Sequence, residues 1–262
     1  MNWQSKRALL TGASGGIGQA IARELAEKGV SLILVGRNQK KLEALMRQLS
    51  GEGHHIIVAD IATTTGLESV VSYVEQWGGL NMLINNAGVS HLSMLEDMDH
   101  KEIPRIISTN LIAPMSLTHA LMPTFKQSSE ASIINIGSAF GSIGFAGQTA
   151  YCASKFGMRG FSESLYRELA DTQIEVFYLA PRATSTNINS STAMAMNEEL
   201  GNHIDSPDLV AKCLVEQLQN KKPRCFIGFP ERIFVKLNGA FPHIVDKALF
   251  KKLPIIKRFI CS

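Results

Sequence analysis

The sequence has only four cysteines, Cys152, Cys213, Cys225 and Cys261, and no two form a CxxC pair or sit beside histidines at metal-ligand spacing. That excludes a disulfide framework and a zinc module, and free thiols in a reducing compartment are expected. No HExxH is present, and among the histidines only His54 and His55 adjoin, while His91, His100 and His119 stand apart. No metal site is expected. No apolar run approaches the roughly 20 residues that span a bilayer. The start also lacks the apolar core of a signal peptide, because Lys6 and Arg7 lead straight into a short strand-like run; a cytoplasmic location is expected. Charge of either sign is sparse: 26 Lys and Arg against 23 Asp and Glu leave a formal +3. No basic run is interleaved with aromatics, so nucleic acid is not an expected partner.

Apolar residues make up 45% and charged residues 19% of the 262, the balance of a globular chain with a sizeable core. Short apolar runs alternate with longer helical patterns from the start. Strands are expected at 7–11, 31–35, 54–59, 82–85, 132–136, 175–179 and 225–227. Between them, 17–28, 39–49, 67–77, 106–125 and 151–169 carry the i, i+3, i+4 spacing of helices that cover a sheet. A further helix is announced by Ser206 as N-cap with Pro207 at its first position, running to about Gln219. Right-handed crossovers then give an α/β fold, a doubly wound parallel seven-stranded sheet of the Rossmann kind. Residues 1–228 form this domain, and 229–262 form a C-terminal extension. Residues 184–203, rich in Ser, Thr, Asn, Ala and Met with little periodicity, read as a mobile lid.

The first strand runs into Thr11-Gly12-Ala13-Ser14-Gly15-Gly16-Ile17-Gly18, and a helix begins at once. Free N–H groups at a helix start favour an anion, and glycines let a pyrophosphate approach the main chain. A bare tight turn would also use glycines, but the position between the first strand and helix of a βαβ unit is the one a dinucleotide requires. Strand two ends in Gly36-Arg37-Asn38. A carboxylate there would accept from a ribose 2′-OH, whereas Arg37 offers a charged planar fork to a 2′-phosphate. NADP(H) is therefore expected in preference to NAD(H). Further on, Tyr151 and Lys155 stand one helical turn apart, so an ammonium can lower the pKa of a phenol. Ser138 lies just past the end of a strand, at the sheet edge where doubly wound folds bind ligands.

Taken together, these segments resemble the roughly 250-residue branch of the short-chain dehydrogenase/reductase family. The likeness is carried by Thr11 to Gly18, Asn85-Asn86-Ala87-Gly88, Ser138, Tyr151 with Lys155, and Pro181 with Thr186. It implies hydride transfer between nicotinamide and a carbonyl or secondary alcohol. Tyr151 would be the general acid for reduction, Ser138 would orient the carbonyl oxygen, and Lys155 would bind the nicotinamide ribose and tune Tyr151. Asn110 would hold a water in the proton relay. Asp60 and Ile61 would contact the adenine, Asn86, Ala87 and Gly88 would lie beneath the cofactor, and Thr184 and Thr186 would offer hydroxyls to its carboxamide and phosphate. Gly12, Ser14, Gly16, Ile17 and Gly18 would hold the pyrophosphate, with Arg37 and Asn38 at the adenosine ribose. A homodimer or homotetramer is implied through the helices at 106–125 and 151–169. Against the family pattern, Pro181 is followed by Arg182 and not by glycine. Arg182 has three options: cofactor phosphate, an acidic substrate, or water, with the outward turn preferred.

Residues 229–262 hold seven Lys and Arg against Glu231 and Asp246, a net +5 that leaves −2 for the rest. Ile244, Val245, Ala248, Leu249, Leu253, Ile256, Phe259 and Ile260 recur at helical intervals, and Pro254 interrupts them. Such a segment can lie on an anionic membrane or in a partner groove, or pack its apolar side on the core. Lipid contact would favour lipophilic substrates such as 3-oxoacyl groups or steroids, and Phe140, Ile143, Phe145, Ala146, Met194 and Met196 would suit an apolar pocket. Two rivals remain: the sugar-nucleotide epimerase branch, which has a longer substrate domain than these 262 residues provide, and a binding protein that keeps the fold without turnover.

Overall fold

Within the first two strands the central side chains, Ala8 to Leu10 and Leu32 to Val35, are apolar whichever way they point. In β1 (Arg7–Thr11), Ala8 and Leu10 enter one hydrophobic cluster and Leu9 the other; in β2 (Ser31–Gly36), Leu32 and Leu34 face the first, Ile33 and Val35 the second. A strand apolar on both faces belongs in the interior of a parallel sheet sandwiched by helices. In the computed structural model, which describes residues 2–186 and 188–260, these strands are joined by β3 (His55–Val58), β4 (Met82–Asn85), β5 (Ala131–Ile136), β6 (Ile174–Ala180) and β7 (Arg224–Phe226). All pairings are parallel in the order β3-β2-β1-β4-β5-β6-β7. The seven strands coincide with those expected to within one or two residues.

The first cluster is closed by α1 (Gly16–Glu27), α2 (Gln39–Met46) and α8 (Pro207–Gln219), through residues such as Ile21, Leu42 and Leu214. The second is closed by α3 (Thr64–Gln76), α5 (Ala113–Gln127) and α6 (Thr149–Glu168), through Val70, Leu117 and Leu165. Ser206 accepts from the N–H of Leu209 and so caps α8 as its sequence announces. Thr63 caps α3 in the same way.

Three expectations are corrected. The long helix at 106–125 is interrupted: α4 (Glu102–Ile107) passes through a π-helical turn, Ser108–Ile112, before α5 begins. The π turn places Asn110 in the interior, where its side chain is held from outside the helix. Residues 184–203 are not structureless, since Ser190 caps α7 (Ser191–Glu199) by accepting from Ala193, and Ala193 and Met196 are buried. Burial of those two side chains supplies the order that weak periodicity did not show. Thirdly, Arg182 does not turn to water, for reasons given below.

The C-terminal extension makes three helices, α9 (Glu231–Ala240), α10 (Pro242–Phe250) and α11 (Leu253–Ile260), split at Phe241 and before Pro254. Val235 and Val245 pack with Ile143, and Ile256 packs with Phe145, Cys152 and Met196. Much of the apolar stripe of residues 229–260 is thus turned onto the body of the molecule, although Phe229, Phe241, Ile244 and Phe250 stay exposed. No helix among the described residues is long and apolar enough to cross a membrane. Cys152, Cys213 and Cys225 are free thiols, while Cys261 lies outside the described residues.

Candidate active site

Strand order reverses at β1, whose neighbours are β2 on one side and β4 on the other. At such a switch point the loops leaving the carboxyl ends diverge and open a crevice. Its two walls are stitched together by Thr11, whose hydroxyl accepts from the N–H groups of Asn86 and Ala87 at 3.0 and 3.1 Å. The Asn86 amide returns hydrogen bonds to the carbonyls of Thr11 and Gly12. Only glycine fits the turn between. A Cβ on Gly12, which has φ +64°, would lie 2.7 Å from the Ala87 Cα, and one on Gly18 would lie 2.3 Å from the Gly12 carbonyl oxygen.

The resulting cleft, about 230 Å³, is lined by Gly12, Ser14, Gly16, Ile17, Gly18, Arg37, Asp60, Ile61, Asn86, Ala87, Gly88 and Thr186. Twelve residues singled out in the sequence therefore meet in one place. Arg37 is exposed, with its guanidinium 3.7 Å from Asp60. Asn38 is not brought there: its carboxamide accepts from Lys41 N–H and caps α2. Sequence reasoning missed Val35, Ala59, Val89 and Ile188, which also line the cleft and carry no motif of their own, and gave no role to Gly36 or Thr109, which line it too. Within the cleft wall the Thr186 hydroxyl is buried without a partner among the described residues. An unpaired buried hydroxyl beside a glycine cradle at a helix N-terminus is the environment a pyridine dinucleotide would complete, by its phosphates and its amide.

Beside the cleft lies a second cavity of about 390 Å³, on whose wall Ser138, Tyr151, Lys155, Pro181, Thr184 and Thr186 all appear. Ser138 follows β5 and accepts from Phe140 N–H at 3.1 Å, opening a 3₁₀ turn. Tyr178 of β6, not anticipated from sequence, sits beneath that turn: a Cβ on Gly137 would meet its ring at 2.3 Å, and its hydroxyl donates to the Ser138 carbonyl at 3.4 Å. Tyr151 and Lys155 begin α6. The Lys155 ammonium donates to the Ile136 carbonyl at 3.0 Å and stands 5.7 Å from the centre of the Tyr151 ring.

Burial, acting on both groups, is the larger electrostatic effect. It pushes the Tyr151 phenol up to about 12, although the Ser138 hydroxyl beside it acts in the other direction. It pulls Lys155 down to about 8. The expectation that the ammonium depresses the phenol is therefore reversed in the protein alone, because desolvation disfavours both charged forms. Phe140, edge-on to Tyr151 at 6.5 Å and stacked on Phe145 at 4.9 Å, contributes to that apolar setting.

Asn110 lines neither space. Its amide is engaged reciprocally with Val89, accepting from the N–H at 2.8 Å and donating to the carbonyl at 2.9 Å, and it also donates to Ser154. Ser154 in turn donates to the Tyr151 carbonyl. The side chain thus ties the π turn to the start of α6, with both amide hydrogens used and one acceptor site of its oxygen left over. The Thr184 hydroxyl is similarly taken by the Arg182 carbonyl at 3.0 Å.

Arg182 is directed inward. Its fork donates to both oxygens of Asp205 at 2.9 Å, and its other nitrogen reaches Glu231 at 3.0 Å and the Phe229 carbonyl at 3.2 Å. Gly228, at φ +96°, gives it room, since a Cβ there would fall 2.7 Å from the Arg182 Cδ. One side chain thereby joins the end of β6, the segment before α8 and the start of α9. The sequence signalled this only by an arginine out of place.

A glycine cradle over the switch point, with a serine, a tyrosine and a lysine converging beside it, places the molecule among the dinucleotide-binding α/β oxidoreductases. Sequence comparison narrows the class. The family model for short chain dehydrogenases matches residues 6–197, and the chain belongs to that family. It is 38% identical over 189 residues to the 3-oxoacyl-[acyl-carrier-protein] reductase FabG of Haemophilus influenzae, covering 71% of this chain and 76% of that protein. The Escherichia coli reductase of the same name is 36% identical over 72% of this chain and 77% of its own. An uncharacterized oxidoreductase of Bacillus subtilis, YxnA, is 27% identical but spans 93% of this chain and 71% of its own. Among solved structures, a short-chain dehydrogenase from Sphingobium yanoikuyae in complex with NADPH superposes with a TM-score of 0.79 at 27% identity, over 92% of this chain and 95% of that one. A 3-ketoacyl-(acyl-carrier-protein) reductase from Brucella melitensis complexed with NADH gives 0.80 at 23% identity, over 87% and 99%, a likeness of fold.

Proposed function

We propose that this protein is an NADP(H)-dependent reductase of lipophilic ketones, such as a 3-oxoacyl or steroid-like compound, working reversibly on the matching secondary alcohols. The observation that carries the reading is the convergence of Ser138, Tyr151 and Lys155 on one largely apolar cavity that adjoins the glycine-lined cleft. Gly12, Ser14, Gly16, Ile17 and Gly18 would hold the pyrophosphate, Asp60 and Ile61 the adenine, Asn86 to Gly88 the underside, and Thr186 the carboxamide. When bound, the nicotinamide supplies the hydride for reduction and takes it up in oxidation. Tyr151, protonated throughout the neutral range, gives its proton to the carbonyl oxygen, and Ser138 orients that oxygen toward it. Lys155 returns a proton to the phenol side of the site and holds the ribose. Asn110 acts through position, by fixing the start of α6. The C-terminal extension serves as a wall of the substrate cavity, through Phe234, Val245, Ala248 and Leu249.

Cofactor choice is assigned to Arg37, which is exposed and only loosely paired with Asp60. Replacing it by aspartate removes a charge-assisted pair with the 2′-phosphate and adds a repulsion, together about 1.5–3 kcal/mol. Arg37→Asp is expected to lower kcat/KM for NADPH about 10- to 100-fold while NADH improves or holds. Steady-state assays with a ketone panel measure this; an unchanged NADPH-to-NADH ratio would remove the preference. Assembly as a homodimer or homotetramer, in a cytoplasmic setting, completes the reading. Ile112 at the end of the π turn, Met115 at the start of α5, and Phe156 and Tyr166 on α6 are exposed apolar side chains in the two segments through which pairing was expected. Sedimentation should give twice or four times the monomer mass at micromolar concentration, and a lone monomer would contradict it.

A further inference from the structure

The wall of the substrate cavity holds one acid, Glu231, and it is taken by Arg182. It also holds a cation, Lys252, which has no carboxylate partner among the described residues. Lys252 lies between α10 and α11, outside the stretch that the family model matches. Its ammonium is not loose. It donates to the Asn202 side-chain oxygen at 3.0 Å; the Asn202 amide donates to the Asn197 oxygen at 2.8 Å; the Asn197 amide donates to the Ala193 carbonyl at 2.8 Å. Every link donates the same way, from the ammonium in toward the backbone carbonyl of α7, and all four residues line the cavity. An ammonium carries three donors, and this chain uses one. Two N–H groups and a full charge are held ready beside an apolar wall of Phe145, Met196 and Leu249.

We infer that Lys252 is a specificity-determining residue that selects substrates with an apolar body and an anionic end, a carboxylate or a phosphate monoester. The inference rests on the ketone-reductase reading and adds the substrate's second recognition element. A point charge on a flexible stem suits either anion, and its neutral amide partner orients it without cancelling its charge. A free amphiphilic acid or phosphate fits this arrangement better than an uncharged ketone.

The test is calorimetric titration of the full chain with decanoate, decyl phosphate and 1-decanol below micellar concentration. Wild type is expected to bind at least one of the anions tenfold or more tighter than the alcohol, and the tighter anion names the end group. In Lys252→Met that ratio should fall at least tenfold. In Asn202→Asp, which sets a carboxylate on the ammonium without emptying the site, it should fall comparably. An anion-to-alcohol ratio near one in wild type, or unchanged in both variants, would overturn the proposal. A parallel assay compares 9-oxodecanoate with its methyl ester as substrates for NADPH oxidation, and the acid-to-ester ratio of kcat/KM should drop tenfold in Lys252→Met. Failure to reduce either ketone would count against the ketone-reductase reading, while the titration, which needs no turnover, still decides the anion site.

Discussion

Tyr151→Phe is expected to lower ketone reduction about 10²- to 10⁴-fold, the usual contribution of a positioned proton donor, while NADPH affinity changes far less. The substitution removes one hydroxyl and leaves the ring, so the edge contact with Phe140 and the packing at the start of α6 persist. Stability should move by no more than about 1 kcal/mol, the net worth of one hydrogen bond. Wild-type reduction also has a defined pH dependence. With Tyr151 pushed up to about 12, its proton is present across the neutral range. With Lys155 pulled down to about 8, the ammonium is lost first as pH rises. Reduction should be flat below neutrality and decline as pH passes about 8, and Lys155→Met should flatten that limb at a lower rate. Steady-state NADPH oxidation from pH 5.5 to 10 gives both results. Tight NADPH binding without turnover, unaffected by Tyr151→Phe, would instead favour a cofactor-binding protein that has lost its chemistry.

The second large effect is on stability. Arg182→Leu leaves Asp205, 3% exposed, without the guanidinium that satisfies both its oxygens, and the other nitrogen base near it among the described residues is the His203 ring at 3.6 Å. Breaking a buried pair from one side typically costs about 3–5 kcal/mol, because the remaining charge stays desolvated. Urea unfolding should show that loss in the midpoint. Arg182→Lys should recover only part of it, since an ammonium cannot match the fork. Adding Asp205→Asn to Arg182→Leu should restore a measurable share, because the stranded charge is gone. A single-variant loss below about 1 kcal/mol would mean that the cluster is not a clamp on the extension. Glycine, the family's usual residue here, should resemble leucine in this chain, because Asp205 and Glu231 have been built around the arginine.

How legible this was depends on the range over which each cause acts. The strands were readable because both faces of β1 and β2 are apolar, a property of consecutive residues. The cap of α8 was readable because Ser206 and Pro207 act within one turn. The same holds for the glycine loop, whose crowding at Gly18 comes from Gly12, six residues away. The π turn at Ser108–Ile112 was not readable, since what holds Asn110 is Val89 and Ser154, which belong to other segments. The same limit concealed α7, whose burial depends on α11 packing across it.

By itself, then, the sequence determined the parallel sheet, the cradle at its switch point, and the meeting of Ser138, Tyr151 and Lys155, because hydrophobic period, capping and motif spacing are local. Tertiary structure alone decided the sign of the Tyr151 shift, the inward turn of Arg182, the role of Asn110 as a tie and the placing of Lys252 on the cavity wall. Each of these depends on desolvation or on a partner distant in sequence, and neither is written in the residues on either side.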